Sequence, residues 1–161
     1  MRPPLRAAVV VVLAAVAALA AGCGYSFSQR YVAAGGIDRI HVRAFENRSA
    51  DPEVGAAVTA ALREELARRG AEAGDGAPAW LEGEVRTGES APSTPGAATF
   101  HLSLEVRARL VVDGKTKAER TIRRETDHLS GADALETEGR RAVVLRRLAS
   151  SAAAELLHAL E

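Results

Sequence analysis

Apolar and polar residues alternate along three stretches of the chain, the pattern of β-strands with one buried face. The longest is 99–112, where every second residue from Phe100 to Val112 is apolar. Two shorter stretches, 37–45 and 80–87, alternate in the same way. Their expected inward residues are Ile40, Val42 and Ala44 in the first, and Leu81, Gly83 and Val85 in the second. We therefore expect a sheet with one polar and one apolar face.

Two other stretches repeat apolar residues every three or four positions, which predicts helices with one buried side. The first helix is expected to start with Asp51 as the cap and Pro52 as its first residue, and to run to about Arg69 before Gly70 stops it. The second follows 130–133, which resembles a capping box, and runs to about residue 160. The expected buried stripes are Val54, Ala57, Val58, Ala61, Leu62 and Leu66, and Leu145, Leu148, Ala149, Ala152, Leu156 and Leu160.

The dipeptide Asp113-Gly114 after the long strand signals a hairpin, and side-chain chemistry fixes its register. A two-residue loop would place Leu110 opposite Lys117 and Leu104 opposite Arg123, which mixes apolar and charged residues, so we reject it. A three-residue loop, 113–115, makes both faces complementary at once, with a left-handed residue at Gly114 or Lys115. The pairs it predicts are Leu110–Ala118, Val106–Ile122, Leu102–Thr126, Arg109–Glu119, Glu105–Arg123 and His101–Asp127.

That register leaves three cations, Arg107, Lys115 and Lys117, without an acidic residue directly opposite. Guanidinium and ammonium groups bind phosphates, so these three are the candidate anion contacts. The alternative is the ordinary solvated face and turn of a hairpin. Arg120 and Arg124 fall on the apolar side of the last strand, which predicts that this strand lies at a sheet edge, where long side chains reach water.

The N-terminus has the pattern of a secretory signal rather than of a folded element. Basic residues at the start precede an apolar run over 7–21, which is too short to span a bilayer comfortably, and then a single cysteine, Cys23. Leu19-Ala20-Ala21-Gly22-Cys23 resembles the bacterial lipobox, which implies cleavage before Cys23 and a lipid on its thiol; an uncleaved anchor is the alternative. Gly24, where an aspartate would favour inner-membrane retention, implies the outer membrane. We predict a signal peptide over 1–22, a lipidated tether over 23–36 and a domain over 37–161.

Composition narrows the class of function. Without residues 1–22 the chain has 139 residues, with 19 basic and 21 acidic side chains, which gives no electrostatic reason to expect nucleic acid as a partner. No nucleophile, P-loop or metal-binding motif occurs, and the four histidines are isolated. Glu82 and Glu84 lie on the polar face of a strand, and a hydrolase using Ser90 or Ser93 would lack a base. We therefore expect a protein that is not an enzyme, with no metal and no cofactor other than the covalent lipid.

Short motifs along the chain then suggest a family. They are Cys23-Gly24-Tyr25; Ile37, Ile40, Val42, Phe45-Glu46-Asn47 and Ser49; Pro52 and Val54 before Leu62, Leu66 and Gly70; and Ala79-Trp80-Leu81-Glu82-Gly83-Glu84-Val85. In this order they resemble the LPS-assembly lipoprotein family LptE, also called RlpB, over essentially the whole mature chain. One departure is Asp127-His128, where members often carry an aromatic residue.

The resemblance implies a two-layer α/β (α+β) domain, in which a four-stranded mixed sheet carries two helices on one face. It also implies a lipoprotein anchored on the periplasmic side of the outer membrane. There the family forms the plug of the LptD barrel, assists barrel assembly and delivers lipopolysaccharide (LPS) to the cell surface. Arg107, Lys115 and Lys117 would then contact LPS phosphates. The alternative is a periplasmic lipoprotein that activates a peptidoglycan synthase or resembles the curli-secretion lipoprotein.

Overall fold

A computed structural model describes residues 31–90 and 98–161. The predicted signal peptide over 1–22, Cys23 and the first part of the tether lie outside the described residues. The elements, in chain order, are β1 His41–Val42, β2 Glu46–Asn47, α1 Val54–Arg68, β3 Ala79–Ser90, β4 Thr99–Val112, β5 Lys115–Leu129 and α2 Ala134–Ala159.

The strands form one open mixed sheet in the order β1–β3–β4–β5, with β2 also paired to β3. β1 and β2 run parallel to β3 and together occupy one edge position, while β3–β4 and β4–β5 are antiparallel. Both helices pack on the same face, because the inward residues of the strands and the buried residues of the helices form one core cluster. The predicted two-layer α+β fold with a four-stranded mixed sheet is confirmed.

The edge strand predicted over 37–45 is interrupted, and the reason is an extra residue. Val42 pairs with Leu81 and Glu46 pairs with Glu84, so three residues of the edge strand span two of β3. Such a bulge reverses the alternation of side chains. Phe45 is therefore buried and Ala44 exposed, opposite to the simple alternation that placed Ala44 inward.

The ring of Phe45 lies against Gly83 in the middle of β3. A Cβ at Gly83 would lie 2.0 Å from the backbone oxygen of Arg107 and 2.8 Å from the Phe45 ring. The glycine thus makes room for an aromatic side chain from the edge strand. This contact ties the bulge to the centre of the sheet.

The β4–β5 hairpin has the predicted register but not the predicted loop. All six predicted pairs, from Leu110–Ala118 to His101–Asp127, are present. The turn itself is the two-residue Asp113-Gly114, with φ of 48° and 75°, as in the mirror-image turn that suits a twisted hairpin. Val112 pairs with Lys115 and Val111 with Thr116. The register shifts between Leu110 and Val111, because Leu110 pairs with Ala118, and Lys117 is therefore a bulged extra residue. The three-residue loop was wrong because the extra residue sits in the strand and not in the turn.

β5 lies at the other edge of the sheet, as its arginines predicted. The Arg120 Nε donates a hydrogen bond to the Ala159 carbonyl at 2.9 Å, and Arg124 forms an ion pair with Glu155. Two arginines on the helix-facing side of the strand therefore reach over the edge to the last turns of α2. Their guanidinium groups pair with the Ala159 carbonyl and the Glu155 carboxylate, so the charges are not buried under the helix.

The predicted stripes of both helices are buried except at Ala57, which is half-buried, but the helices start at other residues than predicted. α1 begins at Val54 after Glu53, and the Asp51 carboxylate accepts the backbone N–H of Glu53 at 3.0 Å. α2 is capped by Asp133, not Ser130: its Oδ1 accepts the N–H of Glu136 at 2.8 Å. The glutamate in turn accepts the N–H of Ala132, so the capping box lies three residues further on. Gly70, with a φ of 68°, ends α1 as predicted.

Gly83→Ala should destabilise the domain strongly, by roughly 3 kcal/mol, because the added methyl group must displace either backbone or the Phe45 ring. Urea unfolding monitored by circular dichroism measures the change. Gly76→Ala is the control, since its added Cβ would meet nothing within 4 Å, and its effect should stay within about 0.5 kcal/mol. Equal stability of the two variants would contradict the proposed role of Gly83.

Candidate functional site

The face of the sheet away from the helices is a trough of paired charges. It encloses about 420 Å³ between side chains of the edge strand and of β3, β4 and β5. We call this surface the polar sheet face and define it by Arg43, Glu82, Glu84, Arg107, Arg109 and Glu119. The alternating pattern of the strands puts these residues on one side, because every second side chain of a strand points the same way.

Glu82 is the centre of the polar sheet face. Its carboxylate accepts hydrogen bonds from Arg43 at 3.1 Å, from Arg109 at 3.3 Å and from the indole N–H of Trp80 at 3.0 Å. The Arg43 guanidinium also stacks 4.0 Å from the centre of the Trp80 ring. Glu84 likewise forms ion pairs with Arg48 and Arg86. Both carboxylates are engaged by cations, which fits a structural role for this surface.

Arg107 is paired with an acid, contrary to the prediction. Thr121 is the residue directly opposite Arg107 in β5. The Arg107 Nε instead donates to the carboxylate of Glu119 at 2.5 Å, two residues from Thr121 on the same face of the strand. This hydrogen bond, followed by the charge of the same carboxylate, raises the pKa of Arg107. The prediction considered only the residue directly opposite, and long side chains also reach the diagonal neighbour.

Lys115 and Lys117 differ from Arg107. Both are exposed at the start of β5 next to the hairpin turn, and neither has an ion-pair partner within the described residues. Lys117 is the bulged residue and projects where the strand is irregular. The structure therefore separates the three predicted cations into one neutralised arginine in the middle of the sheet and two free lysines at one end.

The same end of the domain receives the incoming chain. Tyr31 is buried and its hydroxyl donates to the Leu157 carbonyl at 3.0 Å, while the Ala34 N–H donates to the Leu160 carbonyl at 2.7 Å. Burial raises the pKa of Tyr31, with the nearby charge of Glu161 acting in the same direction. Residues 31–36, which the sequence assigns to the tether, thus pack on the domain. We call this region, with the hairpin turn and the end of α2, the hairpin end.

A partly buried arginine, which sequence reasoning did not single out, links two elements at the opposite end of the domain. The Arg141 Nη1 lies 2.7 Å from the Asp51 carboxylate and its Nε lies 2.7 Å from that of Glu89. The Arg141 side chain is only 16% exposed. One side chain of α2 therefore joins the turn before α1 to the end of β3. These partners are 90 and 52 residues away in the chain, so neither periodicity nor spacing identifies them.

Metal-binding clusters and membrane-spanning helices are both absent from the described residues. Within residues 31–90 and 98–161, no group of three or more histidine, cysteine or carboxylate side chains is placed to hold a metal ion. Neither α1 nor α2 combines the length and apolarity that a transmembrane helix requires.

The fold is one that several bacterial lipoproteins share. Rare lipoprotein B of Shewanella oneidensis superposes with a TM-score of 0.55 at 19% identity, covering 71% of this chain and 91% of its own. A lipoprotein of Caulobacter crescentus gives 0.53 at 17% identity, covering 73% and 87%. The PelC dodecamer subunit of Paraburkholderia phytofirmans gives 0.50 at 16% identity, covering 77% and 89%. At these identities the likeness establishes the fold.

A family model described as lipopolysaccharide-assembly, LptE, matches residues 37–160. The chain belongs to the LptE family, as its motifs indicated. The family consists of non-enzymatic lipoproteins of the bacterial envelope that take part in LPS assembly. No curated protein matches the chain.

Arg141→Met should lower the free energy of unfolding by about 3 kcal/mol, because it leaves the Asp51 and Glu89 carboxylates without their shared cation in a largely buried position. Arg140→Met is a matched control one residue away. Arg140 is 45% exposed and pairs only with Glu136 and the Ser130 carbonyl, so its loss should cost about 0.5 kcal/mol. Similar losses in urea unfolding for the two variants would contradict a special role for Arg141.

Proposed function

We propose that this protein is an outer-membrane lipoprotein, anchored through a lipid on Cys23, that forms the plug of an LptD-like barrel. In that position it assists assembly of the barrel and insertion of LPS at the cell surface. The observation that carries the proposal is the family match over residues 37–160, which spans nearly all of the described domain. No enzymatic step is part of this role.

The charge pairing of the polar sheet face supports a plug role. The interior of an outer-membrane barrel is polar, and a plug must place its own surface against that wall. A charge that enters such an interface unpaired loses hydration without compensation, which costs several kcal/mol. Glu82, Glu84 and Arg107 are already paired within the domain, so the face can meet a polar wall at low cost.

The position of the incoming chain supports the anchoring role. Cys23 precedes Tyr31 by eight residues, and a chain of that length spans at most roughly 28 Å when extended. Because residues 31–36 pack against the end of α2, a lipid on Cys23 would hold the hairpin end towards the membrane. The opposite end of the domain would then lie farther from the lipid anchor.

For the direct LPS contact we retain Lys115, Lys117 and Arg107 as candidates, but with unequal weight. The two lysines are exposed and free of ion pairs within the described residues, so their ammonium groups are available to phosphates. Arg107 would have to leave Glu119 before it could bind a phosphate. We therefore expect the lysines to dominate.

A second candidate role, assembly with copies of the same chain, is suggested by the fold shared with the PelC subunit. The PelC subunit, which forms a dodecamer, shares this fold at a TM-score of 0.50. A lipoprotein of that kind would assemble with copies of itself. The other alternative, activation of a peptidoglycan synthase, predicts a cell-wall enzyme as the partner.

Recovery of partners from native membranes tests the plug role. The full-length protein with a C-terminal tag, purified in gentle detergent, should bring down one large LptD-like barrel in equal amount, identified by mass spectrometry. A Cys23→Ala variant should no longer be labelled by a radioactive fatty acid. A ring of the protein itself, or a peptidoglycan synthase in equal amount, would reject the plug role in favour of the alternatives.

Charge reversal tests the LPS contact. Lys115→Glu with Lys117→Glu should weaken binding of the purified full-length protein to LPS at low salt by at least about tenfold, since each basic residue near an anionic headgroup contributes about 1 kcal/mol. Arg107→Gln should have a smaller effect because Glu119 already neutralises the guanidinium.

The matched control is Arg146→Glu with Arg147→Glu. It makes the same change of net charge at exposed positions on α2, away from the hairpin end. If both double variants lost affinity equally, overall charge and not the two lysines would account for binding. Unchanged binding in the lysine variant would remove these residues from the site.

A further inference from the structure

The end of the domain opposite the hairpin end carries an apolar groove of about 540 Å³. It lies between the last residues of β5 and the first three turns of α2. Its lining residues include His128, Leu129, Gly139, Arg140, Val143 and Val144. We call it the distal groove.

The floor of the distal groove is left open by a glycine. A Cβ at Gly139 would meet nothing within 4 Å, although glycine inside a helix costs about 1 kcal/mol relative to alanine. Leu135 and Val143, one turn before and one turn after it, are 84% and 40% exposed, and Leu129 across the groove is 56% exposed. Large aliphatic side chains so exposed, grouped around an open slot, are typical of a surface that is covered in an assembly.

A buried histidine in the wall of the groove has an unused hydrogen-bonding atom. The His128 side chain is 1% exposed and stacks on Phe100 with ring centres 5.4 Å apart. Its Nε2 lies 3.4 Å from the Glu89 carboxylate without hydrogen-bond geometry, and its Nδ1 has no polar partner within the described residues. Both ring nitrogens are buried without a hydrogen-bond partner in the described part of the chain, so His128 contributes to the wall of the groove through its ring and not as a polar contact for a ligand.

The charge around the groove is negative. The segments that form this end of the domain are 48–53, 88–90, 99–101, 125–130 and 133–141. Together they carry eight carboxylates and three arginines. The three arginines form ion pairs, and so do six of the eight carboxylates. The excess of carboxylates over arginines still leaves these segments with a net negative charge. Such a rim attracts cations and repels phosphates.

We propose that the distal groove docks a polypeptide segment of the partner protein in which an aliphatic or aromatic anchor is flanked by lysine or arginine. The anchor fills the slot over Gly139 between Leu135 and Val143, and the basic residues meet the acidic rim. The inference rests on the proposed plug role, since it takes the barrel as the partner, and it adds which surface and which chemistry make the contact.

Photo-cross-linking in the purified complex tests this proposal. Benzoylphenylalanine replaces Leu135 in the full-length protein, which is co-expressed with the barrel and isolated with it. Ultraviolet light should join this position to a barrel peptide that contains an apolar residue flanked by lysine or arginine, identified by mass spectrometry. The same probe at Ser150, which is exposed further along α2, should not give that peptide.

Gly139→Leu, combined with the probe at Leu135, separates blockage of the groove from unfolding. Leucine is the better helix former and the space above Gly139 is open, so the variant should fold at least as stably and yet lose the cross-link. Raising the salt concentration should reduce the cross-link at Leu135, because the rim attracts the segment by charge.

The outcomes distinguish the two proposals. If no barrel is recovered with the protein, the plug role fails and the groove proposal fails with it. If the barrel is recovered but Leu135 gives no cross-link to it, only the groove proposal is overturned. A cross-link to LPS or phospholipid in place of a peptide, or to an acidic peptide, overturns it as well.

Discussion

The separation of the sheet into one apolar and one charged face is the constraint on which the rest of this structure depends. Side chains of a strand alternate with a period of two, so a slip of one residue in β5 would exchange its faces. The bulge at Lys117 prevents that slip while allowing the tight turn at Asp113 and Gly114. A second extra residue in the edge strand turns Phe45 inward onto Gly83. Two irregularities at the strand ends thus keep both helices on one face and the charges on the other.

The sequence was informative wherever a period or a local pairing determined the structure. The strand over 99–112, both helical stripes and six residue pairs of the hairpin follow from these rules, and the structure has them. The errors have a common physical origin. Ala44, the hairpin loop and the cap at Asp133 each differ by a small shift of residues, which periodicity does not resolve. Arg107 with Glu119 and Arg141 with Asp51 are contacts between side chains that are not directly opposite or are far apart in sequence, so no spacing rule finds them.

The two ends of the domain differ in a way that the average composition conceals. Nineteen basic and 21 acidic residues from residue 23 onwards suggest a nearly neutral surface. In the structure the free lysines lie at the hairpin end, where the chain from Cys23 also arrives, and the excess of carboxylates lies around the distal groove. If the proposed lipid on Cys23 holds the hairpin end, a domain with this distribution of charge would take a preferred orientation relative to the membrane. Its two ends then meet different chemistry.

The paired charges of the polar sheet face also bear on specificity. Burying ion pairs that already exist adds little net affinity, because the loss of hydration roughly cancels the attraction between the charges. A face built from Glu82, Arg109 and Glu119 with their partners therefore tolerates many polar walls and selects few of them. Selection must come from groups whose interactions are incomplete within the domain. The two lysines beside the hairpin and the open slot at Gly139 are such groups. We therefore expect the contacts that discriminate between partners at the two ends of the domain. The polar sheet face between them can be accommodated by a polar wall but contributes little to specificity.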